Sequence, residues 1–492
     1  MRVNPPDPGT GGAAATATHP HRWRALYVGV VASFMTLLDV SVVNVAVPSI
    51  DRALDASPAD LQWILSGYTL AFGLVLVPAG RLGDIHGRQV LFCAGLALFT
   101  AASALSGLAQ NSTWLILSRI LQGAAAGLVN PQVTGLIQEL FQGRERDRPF
   151  GTLGAVVGVS TAIGPLLGGL LIQLGGMEHG WRWVFFVNVP VGIVAVLLGR
   201  RYLPGPDPHR RGGRLDPVGV LLLAAGVTLV LLPMIQRDQW RGAGKWLLIP
   251  AGLAVLAGFT LWERRYRRRD TPLFDLALFR LRSYGLGTLI SLVYFAGFTA
   301  IFFVYALYLQ TGLGYSPLAA GLAITPFACG AAVSAIAGGR YVHRLGRPMV
   351  AGGLAMVALG LGAAVVLTGL VPGRPAPFVL ALPLLFAGLG SGLVITPNQN
   401  LSLSQVPVAQ AGSAAGMLQT AQRIGASAGI AGIGAVFFAV LADRQGAWAD
   451  AFRQALVVSV LVVLVTLVIA VVDSLGGRRR RGASTDAGNR PG

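Results

Sequence analysis

Charge is scarce in this chain. Only 12% of its 492 residues are Asp, Glu, Lys or Arg, where soluble domains carry about 25%, so a soluble globular protein of this length is excluded. Lysine is nearly absent, with Lys245 the single copy against 37 arginines. There are two cysteines, Cys93 and Cys329, both inside apolar runs; they read as small core residues, not as a disulfide or metal site. No Gly-Lys-Ser/Thr phosphate loop occurs, which argues against an ATP-driven machine. The histidines at 19, 21, 86, 179, 209 and 343 are scattered over the N-terminal arm and loops and form no ligand cluster. No enzyme, cofactor or metal is expected, and no cleavable signal is evident.

What is present is apolar and rich in glycine, with 54% hydrophobic residues and 66 glycines. Glycine lets transmembrane helices approach closely. Runs long enough to cross hydrocarbon fall at about 25–48, 61–79, 90–109, 113–137, 151–173, 184–203, 217–235, 246–262, 284–309, 318–338, 349–371, 378–397, 412–441 and 453–475, fourteen in all. The net charge of +18 would suit nucleic acid, but the basic residues sit in loops between these runs. With the N-terminus inside, 28 basic residues lie on the inner side, 8 on the outer, and Arg119 and Arg423 in the membrane. That bias puts both termini in the cytoplasm and leaves no role for nucleic acid. The reading is an all-α polytopic membrane protein, monomeric, surrounded by lipid.

A charged turn, Gly80-Arg81-Leu82-Gly83-Asp84-Ile85-His86-Gly87-Arg88, begins the third run. A weaker copy, Gly339 to Arg347, begins the eleventh at an offset of 259 residues, matching at Gly80/Gly339, Arg81/Arg340, Gly87/Gly346 and Arg88/Arg347. Gly123-x-x-x-Gly127 before Pro131 is echoed by Gly388-x-Gly390-x-Gly392 before Pro397. Such repeats predict two six-helix bundles with two helices inserted between them. The layout expected is a disordered cytoplasmic arm (1–24), an N-terminal bundle (25–203), linkers and the inserted pair (204–283), a C-terminal bundle (284–475) and a basic cytoplasmic tail (476–492).

Further elements are Leu38-Asp39-Val40-Ser41 through Asn44 to Pro48, Arg119-Ile120-Leu121-Gln122-Gly123, Gly164-Pro165-Leu166-Leu167-Gly168-Gly169, Trp181 to Pro190, and Gly314-Tyr315-Ser316-Pro317. In this order, from Arg24 to about Leu475, the chain resembles the fourteen-span drug:H+ antiporters of the EmrB/QacA type within the major facilitator superfamily. The turn departs from that family's pattern at Ile85, His86 and Gln89, and Ser160 stands where a glycine is usual. The resemblance implies a major facilitator fold in the bacterial cytoplasmic membrane and efflux of lipophilic drugs by alternating access, driven by the proton gradient. An exporter of an endogenous metabolite is the alternative, and a non-transporting sensor or scaffold a distant one. It also implies that Asp84 and Arg88 latch the two bundles on the cytoplasmic side, and that the Gly164-Pro165 element serves antiport.

Charge inside a span costs at least about 2.5–3.5 kcal/mol, and Asp39, Arg119 and Arg423 bear it. At 1.5 Å per residue, Asp39 and Arg119 lie about 13 and 9 Å below the outer face. Asp39 is the expected proton carrier, with Arg119 as its partner. In the turn, Gly80, Gly83 and Gly87 are expected to bring spans 2 and 3 together, Asp84 to cap a helix, and Arg81 and Arg88 to stay among headgroups. Gly164, Pro165, Gly168 and Gly169 form a hinge and a smooth seam. Candidates for the substrate cavity are Asn44, Tyr68, Gln122, Asn130, Tyr294, Phe298, Tyr305, Gln419 and Arg423. The aromatic set on span 9 suits lipophilic rings, and spans 9 to 13 contain no acidic residue, which disfavours doubly charged cations.

Overall fold

The computed structural model describes residues 21–176, 179–205, 215–235, 240, 242–267, 275–443 and 447–488. Among these residues all long elements are α-helices. They are α1 (Arg22–Leu54), α2 (Pro58–His86), α3 (Arg88–Gly107), α4 (Ser112–Leu140), α5 (Asp147–Gly175), α6 (Gly180–Phe186), α7 (Asn188–Tyr202) and α8 (Pro217–Ile235). There follow α9 (Leu248–Tyr266), α10 (Arg282–Leu307), α11 (Pro317–Leu345), α12 (Arg347–Leu370), α13 (Ala376–Leu403), α14 (Ala411–Asp443) and α15 (Trp448–Gly488). Twelve helical segments among the described residues are long and apolar enough to cross a membrane. Two shorter apolar stretches, Leu166–Gly175 in α5 and Pro217–Pro233 in α8, accompany them. The sixth apolar run is not one rod: α6 and α7 meet at Val187.

Several boundaries differ from the sequence reading. α1 begins at Arg22, so Arg22 and Arg24 belong to its first turn and not to the arm, and it continues past Pro48 to Leu54. α15 carries on to Gly488, so most of the expected tail continues the helix. The arm at 1–20, linker residues 206–214 and 268–274, and 489–492 lie outside the described residues. Cys93 is buried, but Cys329 is exposed and is no core residue.

α1 to α7 pack around Val28, Met35, Phe72, Leu96, Phe99 and Val133. α10 to α15 pack around Tyr294, Val304, Phe327, Leu354, Leu361 and Phe452. The bundles meet along two seams, α2 with α14 and α5 with α11. α8 and α9 pack on each other, and α8 leans on the α2–α14 seam through Val77, Leu223, Val227 and Leu231, with Phe259, Met417 and Ile424 alongside.

The two repeated turns perform the same backbone task. Gly87 (φ 95°) separates α2 from α3 and Gly346 (φ 58°) separates α11 from α12, in a region that favours glycine. The arginine that follows each glycine turns inward. Arg347 donates to Asn398 Oδ1 (2.8 Å) and the Ser283 carbonyl (2.5 Å) and pairs with Asp473 (2.9 Å). Asp473 keeps a second, longer contact to Arg282 (3.3 Å), so Arg347→Ala is expected to cost about 2 kcal/mol, below the range for a fully orphaned buried charge. Thermal unfolding of the detergent-solubilised variant checks this, with a lowered midpoint expected.

Candidate functional site

An aspartate in the middle of an apolar helix must be compensated there. The donors for Asp39 come from α4 and α7. Arg119 and Gln122, one turn apart on α4, share a face and both reach it. Arg119 Nη1 lies 2.6 Å from Oδ2 and Gln122 Nε2 donates to Oδ1 at 2.8 Å. Asn188, the first residue of α7, donates to Oδ1 at 2.9 Å. The break at Val187 starts α7 at the residue that makes this contact.

Arg119 is held in turn. Its Nη1 donates to Gln122 Oε1 (2.7 Å), its Nε to the Ile64 carbonyl (3.2 Å), and its guanidinium lies 4.4 Å from the centroid of the Tyr68 ring. Gln122 Nε2 also reaches Ser103 Oγ at 2.8 Å. The Asp39 and Arg119 side chains are 0% and 1% exposed, so this form is sealed from water. Such a pair holds together only while charge-assisted bonds offset desolvation. Loss of the carboxylate's charge leaves Arg119 without a counter-ion.

The glycines of the Gly164 element position this acid. A Cβ on Gly164 would run into Ser41, and one on Gly168 would stand 3.1 Å from Val42, the residues just after Asp39 on α1. Gly169 faces Leu318 of α11, and Gly158, further down α5, faces Ala328 and Ala332. α5 thus lies between the acid-bearing helix and the opposite bundle. The side chain of Pro165 lies outside the described residues.

On the arginine-rich face the two bundles touch. Asp84 caps a helix, but not its own: its carboxylate accepts the backbone N–H groups of Gly412 (3.2 Å) and Ser413 (3.1 Å) and the Ser413 hydroxyl (2.9 Å) at the start of α14. An acid at a helix N-terminus is favoured by unsatisfied N–H groups and the helix dipole. Arg88 is not a headgroup residue. It is buried at 1% exposure, pairs with Asp84 (3.0 Å) and donates to the carbonyls of Gly135 and of Val408 in the opposite bundle (2.8 Å to the latter). Arg81 is half-buried. The glycines also face elsewhere than expected: Gly80 abuts Gly412 of α14 and Gly83 abuts Gln132 of α4, leaving only Gly87 to shape the turn to α3.

The second seam carries an altered copy. His343, offset by the same 259 residues from Asp84, meets Asp147 of α5 at 3.0 Å, and Asn400 of α13 donates to Asp147 at 2.6 Å. Here the acid sits on the helix start and its partner on the turn. Asp147 and Asn400 did not stand out in the sequence, and Asn188 was legible only as part of the Trp181–Pro190 element, with no tie to Asp39. The offset points to His343, and Asn188 is a lone polar residue between Val187 and Val189.

The cavity candidates divide. Gln122 belongs to the Asp39 network, not to a substrate surface. Tyr68 is buried, its hydroxyl donating to the Thr36 carbonyl (3.0 Å), and Asn130 binds Thr36 Oγ1 (3.2 Å). Tyr305 is core, stacked 5.4 Å from Phe452 of α15. Tyr294 is buried, with its hydroxyl on Ser391 (2.8 Å), and backs Phe298 at 5.1 Å. Phe298 is half-buried and joins Phe302 and Phe327 at 5.1 and 5.5 Å. Arg423 of α14 lies 4.4 Å from the centroid of Phe72, which stacks on Tyr68. Rings from one bundle therefore run from the Arg119 guanidinium to that of Arg423 in the other. Asn44 is exposed and Gln419 half-buried.

The sequence profile of the Major Facilitator Superfamily matches residues 29–430. The chain belongs to that superfamily. Among superfamily relatives, the "Probable actinorhodin transporter" of Streptomyces coelicolor is 38% identical over 89% of this chain and 76% of its own length. The puromycin resistance protein pur8 of Streptomyces alboniger is 34% identical over 94% and 93%. The crystal structure of the human organic anion transporter MFSD10 superposes with a TM-score of 0.65 at 16% identity, over 92% of this chain and all of that one. At that identity it speaks for the major facilitator fold alone.

Proposed function

We propose that this major facilitator protein is a drug:proton antiporter of the fourteen-span EmrB/QacA type, lying in a bacterial cytoplasmic membrane with both termini and the arginine-rich face inside. Counting α5 and α8, whose apolar stretches are shorter, beside the twelve segments long and apolar enough to cross a membrane supports a reading of fourteen. Relatives named for actinorhodin transport and for puromycin resistance support efflux. The observation that carries the reading is the sealed contact of Asp39 with Arg119, Gln122 and Asn188. A carboxylate with a cation and two amides in a dry site changes its partners when it gains a proton.

In this mechanism Asp39 takes a proton from the outer side. Neutral Asp39 releases Arg119, and α5, pressed on α1 at Ser41 and Val42 and on α11 beyond, passes the change to the seams. The Asp84 and Asp147 contacts part, the inner side opens, and drug entry accompanies proton release to the cytoplasm. The half-buried Phe298 and Phe302, with Arg423, Asn44 and Gln419, are assigned to the drug's path. Their rings match lipophilic aromatic compounds.

Two measurements test the function. Purified protein in proteoliposomes is expected to move protons when an exported antibiotic is added, and to be silent without it. Expression in a pump-depleted host is expected to raise the inhibitory concentrations of lipophilic antibiotics several-fold. A host that gains no resistance, with liposomes showing no drug-triggered proton flux, contradicts the proposal.

A further inference from the structure

A cavity of about 590 Å³ opens on the arginine-rich face, across the α5–α11 seam. Arg22, Arg144 and Arg148 line it from the N-terminal bundle, and Arg340 and Arg344 from the C-terminal one. Two carboxylates stand against these five guanidinium groups, and both are already engaged. Glu145 pairs with Arg22 at 2.5 Å, and Asp147 is held by His343 and Asn400. Arg148, Arg340 and Arg344 are exposed, and their guanidinium groups have no hydrogen-bonding or ionic partner among the described residues. Like charges gathered around an open volume repel one another unless an anion joins them. Trp23 and Tyr341, 37% and 50% exposed, flank the cavity, as aromatic rings do at headgroup level.

We propose that this cavity is a binding site for a phosphate-bearing anion, held by Arg144 and Arg148 from one bundle and Arg340 and Arg344 from the other. Forked guanidinium groups suit phosphate oxygens. The phosphate can come from an anionic lipid headgroup of the inner leaflet or from a soluble phosphate. Because its ligands belong to both bundles, the anion binds the form in which they touch and stabilises that form. Binding is measured without transport, so its failure leaves the antiport reading standing.

The test titrates full-length, delipidated protein with phosphatidylglycerol by native mass spectrometry. In parallel, protein in phosphatidylcholine nanodiscs is titrated with inorganic phosphate and its thermal midpoint followed. The R340A/R344A variant and, from the other bundle, the R144A/R148A variant are each expected to weaken anion binding at least about tenfold, since each basic side chain near anionic headgroups contributes appreciably. R264A/R265A removes the same charge from the exposed end of α9 and is expected to change it less than about twofold. Tight binding of phosphatidylglycerol alone assigns the site to lipid, and protection by inorganic phosphate alone assigns it to a soluble anion. Equal losses in all three variants, or no binding of either probe, overturns the proposal.

Discussion

Asp39→Asn abolishes uphill drug efflux in proteoliposomes with an imposed proton gradient, while drug binding to the purified variant persists. The amide keeps the size of the carboxylate and its contacts with Gln122 and Asn188, but it cannot cycle a proton. Arg119 loses its counter-ion in a site closed to water. For a buried pair that loss costs about 3–5 kcal/mol. Gln122 Oε1, the Ile64 carbonyl and the Tyr68 ring still receive the guanidinium, so the variant folds with reduced thermal stability. Asp39→Glu, which keeps a titratable acid, recovers part of the efflux. Coupled transport by Asp39→Asn at the wild-type rate would remove this residue from the mechanism.

Gly80→Val has the next largest effect, through geometry and not charge. Gly80 lies against the backbone of Gly412 where α2 meets α14, beside the Asp84 cap. A backbone neighbour cannot swing aside as a flexible side chain can. Overpacking of this kind costs about 1–3 kcal/mol, which lowers the ratio of closed to open forms about five- to 150-fold. Efflux is expected to fall by a similar factor, because the cycle needs both faces to close. Gln419→Cys, two turns into α14, reports the opening when Cys93 and Cys329 have been replaced. Its labelling by a membrane-impermeant maleimide added from the cytoplasmic side should rise in the Gly80→Val background. Unchanged labelling together with unchanged efflux contradicts the role given to this contact.

The parts legible in the sequence are those that cost free energy to place. A charge in an apolar run needs a partner, which drew attention to Asp39 and Arg119 at similar depth, and they meet at 2.6 Å. The glycine turn and its copy announced the two-bundle repeat because a positive φ at Gly87 and Gly346 leaves little choice of residue.

Neutral partners left no such trace. Asn188 and Ser103 are inexpensive anywhere near a helix end or a packed interface, so only coordinates reveal that they complete the Asp39 network. Arg88 illustrates a different failure. An arginine beside a loop serves equally among headgroups or as a buried strut, and the choice is made by carbonyls at Gly135 and Val408, distant in sequence. On α10, aromatic residues occur on every side, so periodicity could not separate Phe298, half-buried, from Tyr305, packed on α15. Where a side chain's role depends on rotation about the helix axis, composition carries no information about it.

Antiport requires Asp39 to give up its proton as drug binds, and that exchange can be measured without a membrane. Detergent-solubilised protein in weakly buffered solution with a pH-sensitive dye is mixed with saturating drug over a series of starting pH values. Wild type is expected to release protons in proportion to drug bound, and Asp39→Asn to bind drug with no release. Equal proton release from both proteins would contradict the central claim.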